Sequence, residues 1–213
     1  MNCKREDLLV YAITDRSWLN GESLYSQVEK SLKGGATFMQ LREKNLDDET
    51  FYQEAVELKA LCARYHVPFV INDNVDIALR MDADGVHVGQ SDMEAGDVRS
   101  KLGPDKIIGV SAHNAEEARA AQAAGADYLG VGAAFVTGTK TDAKPISRDT
   151  IRAVTAAVDI PVVAIGGISH DNVLELAGCG LDGVAVVSAL FAQPDVKAAA
   201  EEMLRLSRQI SRP

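Results

Sequence analysis

Eight short apolar runs, most of them rich in β-branched residues, recur along this chain of 213 residues. They lie near Leu8 to Ile13, Phe38 to Leu41, Val67 to Ile71, Val86 to Val88, Ile107 to Val110, Tyr128 to Val131, Val162 to Ile165 and Val184 to Val187. Each has the length of one strand, and unbroken apolar character is what a parallel strand covered on both faces requires. Their starts are roughly 18 to 33 residues apart, the span of a right-handed strand-helix-strand crossover. The intervening segments read as helices. In FYQEAVELKALCARYH, Phe51, Ala55, Leu58, Cys62 and Tyr65 recur at three- and four-residue steps on one face, and NAEEARAAQAAGA is equally helical.

A repeated junction supports the alternation. GGATF, ADGVH, AGADYL and GLDGVA each place Gly or Asp between a helix end and the next strand, where Gly can close the helix in a left-handed cap. Eight such units in a chain of this length favour a single-domain α/β protein, a closed TIM (β/α)8 barrel spanning residues 1–213. An open doubly wound sheet is the alternative, but no G-x-G-x-x-G follows the first strand.

Charge and cysteine usage narrow the function. A net charge of −9 argues against a nucleic-acid partner, which needs a concentrated basic surface. Cys3, Cys62 and Cys179 are dispersed and odd in number, so neither a disulfide framework nor a thiolate zinc site is indicated, and a reducing cytoplasm fits. The apolar stretch near the start is too short to span a membrane and lacks a small-residue cleavage site, so a soluble chain without membrane contact is expected.

Four of the apolar runs end in charged or polar clusters: Gln40 to Lys44 (QLREK), Ile71 to Asp73 (IND), Gly89 to Asp92 (GQSD) and Thr137 to Lys140 (TGTK). In a barrel the chemistry gathers at the carboxyl ends of the strands, so these clusters belong to one mouth. Asp73 and Asp92 each follow a strand and precede a helix. Both are open to a helix-capping reading, and both to a joint role in holding Mg²⁺, which takes a few carboxylates and completes its shell with water and phosphate oxygens. Arg42 and Lys44 flank Glu43; the run is either a solvated charge cluster or, following FMQL with no turn residue between, a pair of cations at a strand end suited to phosphate. Lys140 sits in a long polar loop with Thr137, Gly138 and Thr139, and loops of that length are often binding loops. Ser111 either caps the following helix or donates to a ligand. Gly167 in AIGGI and the VVSAL segment end the seventh and eighth strands, where barrels commonly bind a phosphate. Of the four histidines, none has a partner at metal or triad spacing; His87 reads as a hydrogen-bonded core residue and His113 as a possible site member.

Taken together, YAITD, QLREKN, INDNVDIAL, ADGVHVGQSD, IGVSAHN, GADYLGVGAAF, TGTK, VVAIGGI and GVAVVSAL resemble the thiamine phosphate synthase family in content and order, over nearly the whole chain. The resemblance implies a TIM barrel that joins 4-amino-2-methyl-5-hydroxymethylpyrimidine diphosphate to 4-methyl-5-(2-hydroxyethyl)thiazole phosphate and releases diphosphate. By motif, Gln40, Leu41, Arg42, Glu43, Lys44, Asn72, Ser111 and Lys140 are then expected to contact the pyrimidine diphosphate. Asp73 and Asp92 are expected to bind Mg²⁺. Thr137, Gly138, Thr139, Gly167, Val187 and Ser188 are expected to receive the thiazole phosphate. Arg42, Lys44, Ser111 and Lys140 are the expected catalytic set. The chain departs from the family in carrying Val136 where many members have Pro before the T-x-T-K loop, which bears on loop stiffness rather than on ligand contacts. A homodimer is the default expectation for assembly. Three rivals stay open: a thiazole tautomerase, a Schiff-base lyase using Lys44 or Lys140, and a non-catalytic small-molecule binder.

Overall fold

The computed structural model describes residues 2–89, 95–137 and 145–212. Eight parallel strands pair in sequence order and close on themselves. They are β1 (Val10–Ile13), β2 (Phe38–Leu41), β3 (Phe69–Asn72), β4 (Gly85–Val88), β5 (Ile107–Ala112), β6 (Tyr128–Gly132), β7 (Val162–Ile165) and β8 (Gly183–Val186). All eight apolar runs became strands. Helices α1 (Leu24–Lys33), α2 (Asp48–Arg64), α3 (Val75–Arg80), α4 (Ala95–Leu102), α5 (Ala115–Ala123), α6 (Arg148–Ala157), α7 (Ser188–Phe191) and α8 (Val196–Ile210) surround them. The β7–β8 connection is different: it carries only a 3-10 turn at Val173–Leu176, and positive-φ glycines at 178 and 180 break the chain before a helix can lengthen. Among the described residues no helix is long and apolar enough to cross a membrane.

The recurring junction has a second physical meaning beyond helix closure. Gly35 and Gly125, both at φ 96, do end helices in the left-handed region. The residue just before each even-numbered strand then acts as a clamp on the strand before it. Thr37 accepts a hydrogen bond from the Val10 N–H at 2.9 Å, Asp84 from Phe69 at 2.8 Å, Asp127 from Ile108 at 3.0 Å and Asp182 from Val162 at 2.8 Å. The backbone N–H of each of these four residues donates to the carbonyl of the same partner. The start of every second strand is thus pinned by a two-point contact, which sets the parallel register without a tight turn. Asp182 and Asp127 are themselves paired, with Arg5 and Arg212 and with Arg99 respectively.

Two apolar layers result. Between strands and helices lies a continuous core from all sides of the barrel. Inside the barrel, Tyr11, Phe38, Val70, Ile107, Tyr128, Val163 and Ala185 fill the lumen, and Leu8 and Cys3 join that cluster. Large rings need empty neighbours. A Cβ at Gly109 would sit 2.1 Å from Tyr128 Cζ, so only glycine on β5 admits the Tyr128 ring. The packed lumen leaves the C-terminal ends of the strands as the face on which polar side chains can converge.

Candidate active site

β2 and the residue just after it deliver three side chains with separate fates. Gln40 is buried and donates through Nε2 to the Tyr11 hydroxyl. Leu41 points the other way and is fully buried in the layer beneath the helices, so its side chain is core. Arg42 is placed by its backbone N–H, which donates to Thr14 Oγ1 at 2.9 Å, and its guanidinium lies 3.5 Å from Asp15. Both partners come from the end of β1. The alternation continues at Glu43, whose Oε2 is 2.9 Å from Arg16 Nε; Arg16 in turn reaches Glu54 on α2 at 2.6 Å. The Glu43 side chain is only 4 % exposed, and its Oε1 has no hydrogen-bond partner among the described residues. Burial raises its carboxyl above the ordinary carboxylate range, against the lowering pull of Arg16, and the nearby Glu54 adds to the rise. Glu43 therefore braces the loop through Arg16, and it also lines the cavity that Lys44 borders.

Lys44 is exposed and lines a cavity of about 460 Å³ with Asn72, Asp73, Asp76 and Lys101. Such exposure does not provide the desolvation that a Schiff-base lysine needs. Asn72 ends β3 and donates to Asp73 Oδ2 at 2.6 Å. Asp73 holds φ 60, and its N–H donates to the His87 carbonyl at 2.9 Å. The helix that follows is capped by Asn74, whose side chain accepts from Ile77 N–H. The capping reading of Asp73 therefore falls, and a left-handed non-glycine residue at a strand end is the kind of local strain found at functional sites. Ser111 is likewise not a cap, since Asn114 accepts from the Glu116 and Glu117 N–H groups. Ser111 sits in β5 with its Oγ 3.1 Å from His87 Nε2. His113 is outside this constellation, exposed and paired with Glu117.

On the other side of the mouth, the loops after β6 and β7 are zipped together. Ala134 and Phe135 N–H groups donate to the carbonyls of Ile165 and Gly166 at 2.8 and 3.0 Å. Gly167, at φ 67, is forced by that approach: a Cβ would lie 2.3 Å from the Val136 carbonyl oxygen. Val136 is 83 % exposed and leads into Thr137. Val187 and Ser188 follow β8, Val187 as the residue before α7 and Ser188 as its first residue. Asp92, Gly138, Thr139 and Lys140 lie outside the described residues.

Whether Mg²⁺ suits this mouth can be judged from the donors. Asp73 supplies hard carboxylate oxygen at a cavity wall, oriented by the Asn72 amide, which is the chemistry Mg²⁺ takes. Among the described residues no three His, Cys, Asp or Glu side chains cluster as a self-sufficient metal cage. Mg²⁺ does not ask for one, because one or two carboxylates plus substrate phosphates and water complete its shell.

The thiamine monophosphate synthase family model matches residues 10–190. A thiamine-phosphate synthase from Alkaliphilus oremlandii is 51 % identical over 92 % of this chain and 94 % of its own length. The chain belongs to the thiamine monophosphate synthase family. A thiamine-phosphate synthase of Ruminiclostridium cellulolyticum is 48 % identical, covering 94 % of this chain and 95 % of that protein. A solved structure described as thiamine phosphate pyrophosphorylase from Pyrococcus furiosus superposes with a TM-score of 0.89 at 40 % identity, over 97 % of this chain and 98 % of that one. The family match thus begins at β1 and ends in α7, so it covers all eight strands of the barrel.

Reading the synthase family's mouth from sequence alone left out Tyr11, Thr14, Asp15, Arg16 and Tyr128. Thr14 and Asp15 end the first apolar run as a polar pair, the same signal that marked the other four clusters, and were findable by it. Tyr11 and Tyr128 carry no such mark.

Proposed function

We propose that this chain is a thiamine-phosphate synthase that joins the aminopyrimidine diphosphate to the thiazole phosphate in thiamine biosynthesis, releasing diphosphate. The supporting observation is that Gln40, Arg42, Lys44, Asn72, Asp73 and Ser111 all sit at the carboxyl ends of β2, β3 and β5, on one mouth of a closed barrel. In this reading the bond between the pyrimidine methylene carbon and the diphosphate oxygen breaks first, its electron pair leaving with the diphosphate. The thiazole nitrogen then forms the new bond to that carbon. No proton moves and no protein nucleophile is needed.

Negative charge grows on the departing diphosphate, so Arg42, Lys44 and Lys140 are assigned to stabilise it, with Ser111 as a hydroxyl donor. Arg42 suits the task because the Thr14 and Asp15 contacts hold it in place before a ligand arrives. Gln40 orients the pyrimidine through its amide, and Leu41 and Glu43 support it from below. Asp73 and Asp92 are assigned to Mg²⁺, which would neutralise diphosphate charge when bound. Thr137, Gly138, Thr139, Gly167, Val187 and Ser188 are assigned to the thiazole phosphate, in the position barrels use after strands seven and eight. Packing of both substrates over a filled lumen excludes water, which favours capture by the thiazole.

A cytoplasmic location belongs to the same proposal, supported by three buried thiols without a disulfide among them. A homodimer is carried forward as the expected assembly, to be read by light scattering. A two-substrate assay of diphosphate release tests the function. Arg42→Ala is expected to lower turnover roughly a hundredfold to a thousandfold; full turnover in that variant rejects its assignment.

A further inference from the structure

A line of hydrogen bonds crosses the barrel from one side of the mouth to the other. Gln40 Nε2 donates to the Tyr11 hydroxyl; Tyr11 and Tyr128 hydroxyls are 2.7 Å apart; the Tyr128 hydroxyl is 3.0 Å from His87 Nδ1; and His87 Nε2 is 3.1 Å from Ser111 Oγ. The five residues come from β2, β1, β6, β4 and β5. Both tyrosines are fully buried, and burial raises both phenols well above their ordinary range, so each keeps its single hydrogen. The space for this line is built in: Gly109 admits the Tyr128 ring, and a Cβ at Gly130 would press within 3.3 Å of the His87 ring.

A phenol has one hydrogen to give, and a buried one must give it. With Gln40 donating, Tyr11 donates to Tyr128, Tyr128 donates to His87 Nδ1, and His87 carries its hydrogen on Nε2 and donates to Ser111. Reversing one link alone leaves a buried hydroxyl hydrogen without an acceptor, two hydroxyl oxygens 2.7 Å apart with no hydrogen between them, or an imidazole without its hydrogen, so the links change direction only together. The amide orientation at one end and the imidazole tautomer at the other are therefore one variable. Gln40 uses an N–H inward, which leaves its carbonyl oxygen as the group to turn to a ligand.

We propose that Tyr11, Tyr128 and His87 form a one-directional hydrogen-bond relay that locks the Gln40 amide with its carbonyl oxygen toward the ligand, so that the site selects an aminopyrimidine over the corresponding oxopyrimidine. The three relay members are positioning residues: they act through Gln40 and Ser111. The inference rests on the synthase reading, since it takes the aminopyrimidine diphosphate as the ligand. An amino group donates to the Gln40 oxygen, whereas an oxo group at the same carbon sets two acceptors against each other. A site built for one hydrogen-bond polarity rejects the other far more strongly than it rejects a change of size. Without the relay, the Gln40 amide is free to turn over and meet either ring.

The test compares kcat/KM for the aminopyrimidine diphosphate and its 4-oxo analogue, with the thiazole phosphate and Mg²⁺, in the wild-type chain, Tyr128→Phe and Tyr11→Phe. The wild type is expected to prefer the amino substrate by roughly a hundredfold or more, and each variant to narrow that ratio by about tenfold. Equal losses on both substrates, with the ratio unchanged, would assign the tyrosines to packing alone and overturn the relay. The imidazole ¹⁵N shifts of the folded wild-type chain, with His87→Asn to identify the signals, give a readout independent of the variants folding. A neutral Nε2–H tautomer is expected; an Nδ1–H tautomer, or shifts averaged between the two, overturns the proposed direction. Wild-type protein that releases no diphosphate from the amino substrate overturns the synthase reading and the substrate selection with it, while the tautomer measurement still decides the relay's direction.

Discussion

The Glu43 carboxylate lies against the Arg16 guanidinium, Oε2 to Nε 2.9 Å, and ties the middle of the Arg42 to Lys44 run to the loop after β1. Arg42 is held from the same loop by Asp15. The residues that follow β1 therefore brace the cations that follow β2, and the brace consists of two ion pairs of opposite polarity side by side. Removing Arg16 leaves a nearly buried carboxylate with no counter-charge. Because Arg16 itself is 39 % exposed, the cost of Arg16→Ala is set at about 1–2 kcal/mol rather than the larger penalty of a fully buried pair. The displaced loop should also lower kcat/KM roughly tenfold through loss of orientation. Chemical denaturation and the diphosphate assay on the same variant check both; unchanged values in both would show that the brace carries nothing.

The Glu43 carboxyl also makes a pH prediction. Its folded value lies above the ordinary 4.5, so the folded chain holds this proton more tightly than the unfolded chain does. Stability from this group is then fully present below that ordinary value and is lost as the pH rises through the folded one. Glu43→Gln cannot titrate. The stability of the wild type relative to Glu43→Gln should fall between pH 4.5 and neutrality, as read from urea midpoints at both ends of that window. A constant or rising difference contradicts the assignment.

Asp73 and Asn74 are adjacent but do different work. Asn74 caps α3, and Asn74→Ala should cost about 1 kcal/mol of stability with kcat retained to within a few-fold. Asp73→Asn keeps a residue type that tolerates the left-handed region, so its thermal midpoint should stay within about two degrees while turnover falls roughly a hundredfold. Thermal melts paired with turnover numbers separate the two positions. The reverse pattern would return Asp73 to a capping role.

Asp182 clamps the Val162 N–H and receives Arg5 and Arg212. Asp182→Ala orphans a buried backbone donor and releases both arginines, a loss of about 3 kcal/mol. Asp182→Asn keeps an acceptor for Val162 and should lose clearly less. Denaturant titrations of the pair give the difference, and equal losses would mean that charge alone mattered.

Much of this was readable from the residues. Short, largely apolar runs gave all eight strands because a strand buried on both faces has no polar face to confuse it. Gln40, Arg42, Asn72, Asp73 and Ser111 were visible because a polar residue that ends an apolar run has few reasons to be there. The capping readings of Asp73 and Ser111 failed for a local reason: Asn74 and Asn114 stand one and three residues further on and reach the helix N–H groups better. Tyr11 and Tyr128 were invisible for a different reason. An inward tyrosine in an apolar run looks like core, and the hydroxyls meet across 117 positions of sequence, which only closure of the barrel brings together. The clamps at Thr37, Asp84, Asp127 and Asp182 were seen as a recurring junction, but their partners sit on the preceding strand and no spacing rule points there.

The most direct measurement is product analysis of the purified chain given both substrates and Mg²⁺. Thiamine phosphate and diphosphate are expected in equal amounts, with neither formed when either substrate is left out. Rearrangement of the thiazole phosphate alone, or binding of both compounds with no diphosphate released, would contradict it.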